Sequence, residues 1–144
     1  MTFSERLTPS AWMFLASALL IPAGLLVFLP VSVPAAVATA LVLFAAACIA
    51  LLLSAPVIEV RDGVLRAGRA RLPLRVVAGA SAHRGAEATA ERGVRLDARA
   101  YLVIRGWVDP VVRIELDDPD DPAPYWLVST RKPDELVAAL TAAR

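Results

Sequence analysis

His83 and Cys48 are the only histidine and the only cysteine among 144 residues, and that scarcity narrows the chemistry first. Zinc takes three or four nitrogen or sulfur ligands, which one His and one Cys do not supply. Nucleophilic catalysis needs a nucleophile, a base and an orienting group. His83 has no Gly-x-Ser-x-Gly partner, and beside Arg84, at the end of an expected strand, it reads as a solvated loop histidine. Gly63, Gly68 and Gly79 are scattered and match neither the P-loop nor the dinucleotide-binding spacing. Carboxylates concentrate only at Asp117, Asp118, Asp120 and Asp121. Calcium uses such oxygens, but the EF-hand order needs alternate ligands, a central Gly and a terminal Glu. Here Pro119 and Pro122 splay the side chains, and a solvated turn is the plainer reading. No catalytic, cofactor-binding or metal residue is assigned, no cofactor is expected, and the chain reads as a non-enzyme.

Two other groups invite a binding role. Arg61, Arg66, Arg69, Arg71 and Arg75 make a basic cluster, a candidate contact with a membrane surface. Strand alternation cannot turn all five to one side, so about three are expected to face a bilayer. Trp107, Tyr125 and Trp126 are either a partner surface, where aromatic residues are enriched, or the core of the domain. The net charge of +1 carries no nucleic-acid signature, and no nucleic-acid partner is expected.

The elements that must position these residues begin with a run, from Leu7 to Ile58, that lacks any Asp, Glu, Lys, Arg or His. Residues 10–29 and 35–53 form two apolar blocks separated by Pro30-Val31-Ser32-Val33-Pro34. A helix needs about 20 apolar residues to cross a hydrocarbon core of about 30 Å. The two blocks therefore predict a transmembrane helical hairpin over residues 10–54, which accounts for the mean hydropathy of +0.60. The rival is a cleaved signal peptide, but the first block exceeds an apolar region of about 7–15 residues and a second block follows at once. Pro22 predicts a kink through loss of a hydrogen bond to Ala18. Ala36, Ala40, Ala47 and Ala50 fall near one face of the second span, where the first span or a second copy of the protein can approach closely. Cys48, inside that span, reads as a small buried residue, and a single cysteine forms no intramolecular disulfide.

Positive charge near the span ends sets orientation. The loop between spans has none, whereas Arg6 precedes the first and the arginine cluster follows the second. The expectation is a multi-pass cell-membrane protein with both termini cytoplasmic: a tail over residues 1–9, the hairpin, and a cytoplasmic β-rich domain over 55–144. In that domain Val57–Arg61 and Val64–Arg66 flank Asp62-Gly63, a hairpin turn dipeptide. Leu72–Ala78 is a third strand with Pro73 at its start or edge, and residues 82–99 form an exposed loop with room for a helical turn. Residues 101–104, 111–116 and 125–128 are further strands. Pro133, Asp134 and Glu135 open a helix over 133–143 whose stripe is Leu136, Ala139, Leu140 and Ala143. The fold class is thus a membrane α-hairpin plus a small α+β domain, its antiparallel, pleckstrin-homology-like sheet closed by a C-terminal helix.

The short polar tail, the two spans, Arg71-Leu72-Pro73-Leu74, Arg105-Gly106-Trp107-Val108 and the stretch from Asp117 to Pro133 together resemble a family of small actinobacterial membrane proteins, domain of unknown function 3093. The resemblance implies two spans plus one domain and assigns no activity, ligand or catalytic residue. Three functions stay open: an anchored module binding a protein partner or the inner-leaflet surface, a structural subunit of a membrane assembly contacting others through its second span, or an enzyme with an undisplayed site.

Overall fold

The computed structural model describes residues 2–143 and resolves into two compact units, residues 2–7 with 56–143 and residues 8–55. The chain opens with strand β1 (Phe3–Arg6) and then enters the helical unit. There the first apolar block forms α1 (Ala11–Ser17) and α2 (Leu20–Phe28), and the second forms α3 (Val33–Leu53). Both stretches, Ala11–Phe28 and Val33–Leu53, are long and apolar enough to cross a membrane. The interruption at Ala18-Leu19 falls four residues before Pro22, where the proline ring crowds the i−4 carbonyl. The Ala18 carbonyl instead accepts from Ile21 N–H at 3.1 Å. Ser32 starts α3, its Oγ accepting from Ala35 N–H at 3.4 Å, with Pro34 in the first turn. α2 packs on α3 through small residues: a Cβ added to Gly24 would lie 3.2 Å from the Ala40 Cα, and Ala36 and Ala40 are buried. Ala50, in the same expected small face, is exposed.

After the helical unit come β2 (Val57–Arg61), β3 (Val64–Ala67) and β4 (Ala70–Pro73), which with β1 form a four-stranded antiparallel meander in the order β1-β2-β3-β4. Asp62 (φ 51°) and Gly63 (φ 73°) both take positive φ, the two-residue hairpin turn their types favour. The expectation of a polar tail over residues 1–9 is corrected by β1. Phe3 stands opposite Val60 and Glu5 opposite Ile58, Phe3 and Leu7 are buried, and Leu7 N–H donates to Pro56 O at 2.9 Å. Glu5 accepts from Thr130 Oγ1 and, at 3.0 Å, from Arg131 N–H. A four-residue strand shows too little of its period to be recognised, and its partner lies some fifty residues downstream. Met1 and Arg144, the ends of the expected tail and domain, lie outside the described residues.

The single strand expected over Leu72–Ala78 is divided. β4 ends at Pro73, a 3-10 turn occupies Leu74–Val76, and β5 (Val77–His83) starts a second sheet. In the expected loop over 82–99 the helical turn is a full helix, α4 (Gly85–Arg92), and the segment is not wholly exposed, since α4 buries Ala88 and Glu91. β6 (Tyr101–Val103), β7 (Val111–Leu116) and β8 (Tyr125–Ser129) complete that sheet in the order β5-β7-β8-β6. β5, β7 and β8 run antiparallel as expected, but β6 lies parallel to β8. β7 is already paired with β5 and β8, so β6 takes the far edge of β8, and the direction it brings is the same.

The chain ends in α5 (Pro133–Ala142), with Leu136, Ala139 and Leu140 buried as the stripe requires. Its core draws Val60 and Leu65 from the first sheet, Ile114 and Trp126 from the second, and Leu136 and Leu140 from α5. The opposite face of the second sheet buries Val111, Tyr125 and Leu127 with Ala88 of α4. Coverage on both faces explains why β8 is buried throughout and reads as a continuous apolar run rather than an alternation.

Candidate functional site

The register of the first sheet decides which arginines share a side. Phe3, Val60, Leu65 and Leu72 align on the inner face, which leaves Ser4, Glu59, Arg66 and Arg71 in one outer row, with Arg61 opposite Val64 in the next. Arg61, Arg66 and Arg71 are all exposed there. Directly opposed residues on adjacent strands have Cβ atoms about 4.5–5.5 Å apart, and like charges in that position are destabilising. Arg66 and Arg71 are such a pair, offset on one side only by Glu59 across from Arg66. Arg66 Nε donates to Gly68 O at 3.3 Å, and Arg61 lies 3.4 Å from Asp62, an exposed pair worth about 0–1 kcal/mol. These side chains with Glu59 and Val64 line a shallow depression of 350 Å³. Arg69 sits apart, in the two-residue turn between β3 and β4, and Arg75 lies in the 3-10 turn before β5. Of the five candidates the fold therefore gathers three.

The aromatic candidates divide between core and loop. Trp126 is buried, its ring 4.5 Å from that of Tyr101. Tyr125 is buried on the other face, with Arg113 stacked 3.9 Å over its ring and its hydroxyl accepting from Asp97 N–H at 2.8 Å. Trp107 is half-buried, and its Nε1–H donates to Leu7 O at 3.2 Å, tying its loop to the end of β1. All three hold the domain together.

A polar network beneath α4 was not visible in the sequence. Glu91 is buried and meets Arg113 at 3.2 Å and Arg95 at 3.4 Å, while Arg113 also reaches Glu115 at 2.6 Å. Burial lowers the Arg113 pKa, but the hydrogen bonds to Glu115 and Glu91 outweigh it and hold the guanidinium above its ordinary value. The available signal was Glu87, Glu91 and Arg95 at four-residue spacing, which aligns them on one helix face. His83 is corrected from a solvated loop position to the last residue of β5, its side chain 15% exposed. Its Nε2 is 3.0 Å from Ser81 Oγ and its Nδ1 is 3.4 Å from Glu87. Ser81 and His83 are two residues apart on one strand face, the spacing at which neighbouring polar side chains meet in any strand. Ser81 is exposed. The contact is the ordinary one for such neighbours and assigns no nucleophile.

The aspartate cluster folds on itself. Asp118 Oδ1 accepts from Asp120 N–H at 3.0 Å and Asp121 Oδ1 from Ala123 N–H at 2.9 Å, turns in which carboxylates serve nearby backbone donors. Cys48 is half-buried in α3.

Fold and site together define a class: an α+β domain that carries, between its first and second strands, two apolar helical stretches of membrane-spanning length. The chain belongs to the family of proteins of unknown function DUF3093, whose pattern matches residues 2–140. No curated protein and no solved structure matches it.

Proposed function

We propose that the chain is a non-catalytic binding module anchored in the cell membrane by its helical hairpin, with a cytoplasmic domain that meets the anionic inner-leaflet surface through Arg61, Arg66 and Arg71. The observation that carries this reading is the exposed row in which Arg66 faces Arg71, a like-charge pair that costs stability unless an anion lies against it. Near an anionic bilayer each basic residue contributes about 1 kcal/mol, within a Debye length of about 8–10 Å. Topology is supported by the pairing of β1 with β2. Residues just before and just after the helices share one sheet, so a spanning hairpin must leave and return on the same side. Arg6 and the arginine cluster, against an uncharged inter-helix loop, favour the cytoplasmic side. Strand order supports a pleckstrin-homology-like fold: a four-stranded meander, then the meander β5-β7-β8, then α5, with α4 and β6 inserted after β5.

The test uses the full chain with Cys48→Ala and a fluorophore on Ser4→Cys, which is exposed in the same outer row as Arg66 and Arg71. In nanodiscs carrying a headgroup quencher, added phosphatidylserine should increase quenching, and about 0.5 M salt should reverse it. The triple change Arg61→Gln, Arg66→Gln, Arg71→Gln should abolish the response without lowering the melting temperature. Equal quenching in neutral and anionic discs contradicts the proposal.

A further inference from the structure

Arg75 lies outside the arginine row but beside it. Leu74 N–H donates to Gly63 O at 2.9 Å and so holds the 3-10 turn against the β2–β3 turn. Arg75, exposed in that 3-10 turn, lines a second depression of 450 Å³ with Gly63, Pro73 and Leu74. Asp62 and Val64 line both this depression and the one that holds Arg61, Arg66 and Arg71. The two basic hollows therefore share a rim, and the rim carries an acid. Among the described residues none of Arg66, Arg71 and Arg75 forms an ion pair, although Glu59 stands directly across from Arg66.

We infer that the two depressions together receive one lipid headgroup with two phosphates joined by a short uncharged linker, the chemistry of a diphosphatidylglycerol. The inference rests on the proposed contact with the inner leaflet and names the lipid that contact selects. Arg66 and Arg71 stand opposite each other with Cβ atoms about 4.5–5.5 Å apart, close enough for both guanidiniums to hydrogen-bond one phosphate. Pro73 lies two residues along β4 from Arg71, about 7 Å, and Arg75 follows beyond it, placed for a second phosphate. The rim decides the linker. Repulsion sets any further anion, or a continuous sheet of charge, against the Asp62 carboxylate, whereas an uncharged linker crosses it and leaves its pairing with Arg61 intact. A lipid is the source because the hairpin keeps headgroups beside the domain. Two linked phosphates then bind as one ligand, the second at the high effective concentration set by the first.

The quenching reporter on the full chain tests this in nanodiscs matched for total negative charge, one diphosphatidylglycerol replacing two phosphatidylserines. The diphosphate lipid should reach half-maximal quenching at a charge fraction about tenfold lower than phosphatidylserine. Arg75→Gln should bring the two lipids together at an unchanged melting temperature. Arg69→Gln, the same loss of charge outside both depressions, should keep the preference. Water-soluble glycerol bisphosphate at micromolar concentration should not raise the melting temperature of the chain in neutral discs. Equal response to the two lipids, or a preference that survives in Arg75→Gln, overturns the inference and leaves the surface contact standing. A soluble bisphosphate that stabilises the chain overturns the lipid source. No response to either lipid contradicts the surface contact itself and the inference with it.

Discussion

Glu91 shows how a buried charge is kept in a small domain. Its carboxylate is 4% exposed and is held by Arg113 and Arg95, so removing it strands a half-buried guanidinium that keeps only Glu115. Breaking a buried pair costs about 3–5 kcal/mol, and the partial exposure of both arginines lowers the expected loss for Glu91→Ala to about 1–3 kcal/mol. Glu87→Ala, four residues earlier and exposed, should change stability by less than about 0.5 kcal/mol. Chemical denaturation of the two variants separates them, and equal stability would place the network outside the folded core. Asp97 provides a pH signature. Its carboxylate accepts from the Arg99 side chain and from Arg99 N–H at 2.8 Å, and these bonds hold its pKa below the usual range. A lowered folded pKa stabilises fully above the unfolded value of about 3.9 and is lost as pH falls through the folded value. Asp97→Asn should therefore melt below the parent at pH 7, and the two curves should converge as the pH falls through the lowered folded value.

Among the elements, what the sequence displays depends on how local each partnership is. The β2–β3 hairpin is legible because Asp62-Gly63 dictates its own turn, and α5 because a cap-side proline, an acidic first turn and an apolar stripe agree over ten residues. α4 hides because its apolar face is only Ala88 and its buried contact is a carboxylate. β6 hides its parallel pairing because direction is decided by which edge β7 leaves free. The arginine row is legible in membership but not in geometry, since alternation identifies Arg66 and Arg71 as faces of their own strands and only the register aligns them. Two substitutions test the packing. Leu140→Asp buries an unpaired carboxylate and should cost several kcal/mol, enough to unfold the domain, whereas Asp134→Ala removes an exposed pair with Arg84 and a dipole contact worth about 0.3–1 kcal/mol. Equal melting temperatures for the two would mean that α5 does not close the sheets. In the helical unit, Gly24→Leu drives a side chain into the Ala40 backbone at 3.2 Å and should separate α2 from α3, read as a lowered melting temperature in detergent.

For the whole molecule, the consequence of β1 is that the chain's two ends of the hairpin belong to one domain. Burial of Phe3 and Leu7 contributes about 1.5–3 kcal/mol each, a large share of the roughly 5–15 kcal/mol that holds a domain folded. A fragment starting at Pro56 lacks that strand and the Glu5 bonds to Thr130 and Arg131, and it should be unfolded or aggregate where the full chain is folded. On the proposed membrane reading the same architecture ties topology to folding: β1 and β2 pair only if both emerge on one side of the bilayer. Cysteine labelling in intact cells, on the Cys48→Ala background, tests this most directly. An impermeant maleimide added outside should label Ser32→Cys and should reach Ser4→Cys and Asp120→Cys only after the membrane is opened. Labelling of Asp120→Cys from outside, or of Ser4→Cys and Asp120→Cys from opposite sides, would contradict a cytoplasmic domain interrupted by a membrane hairpin.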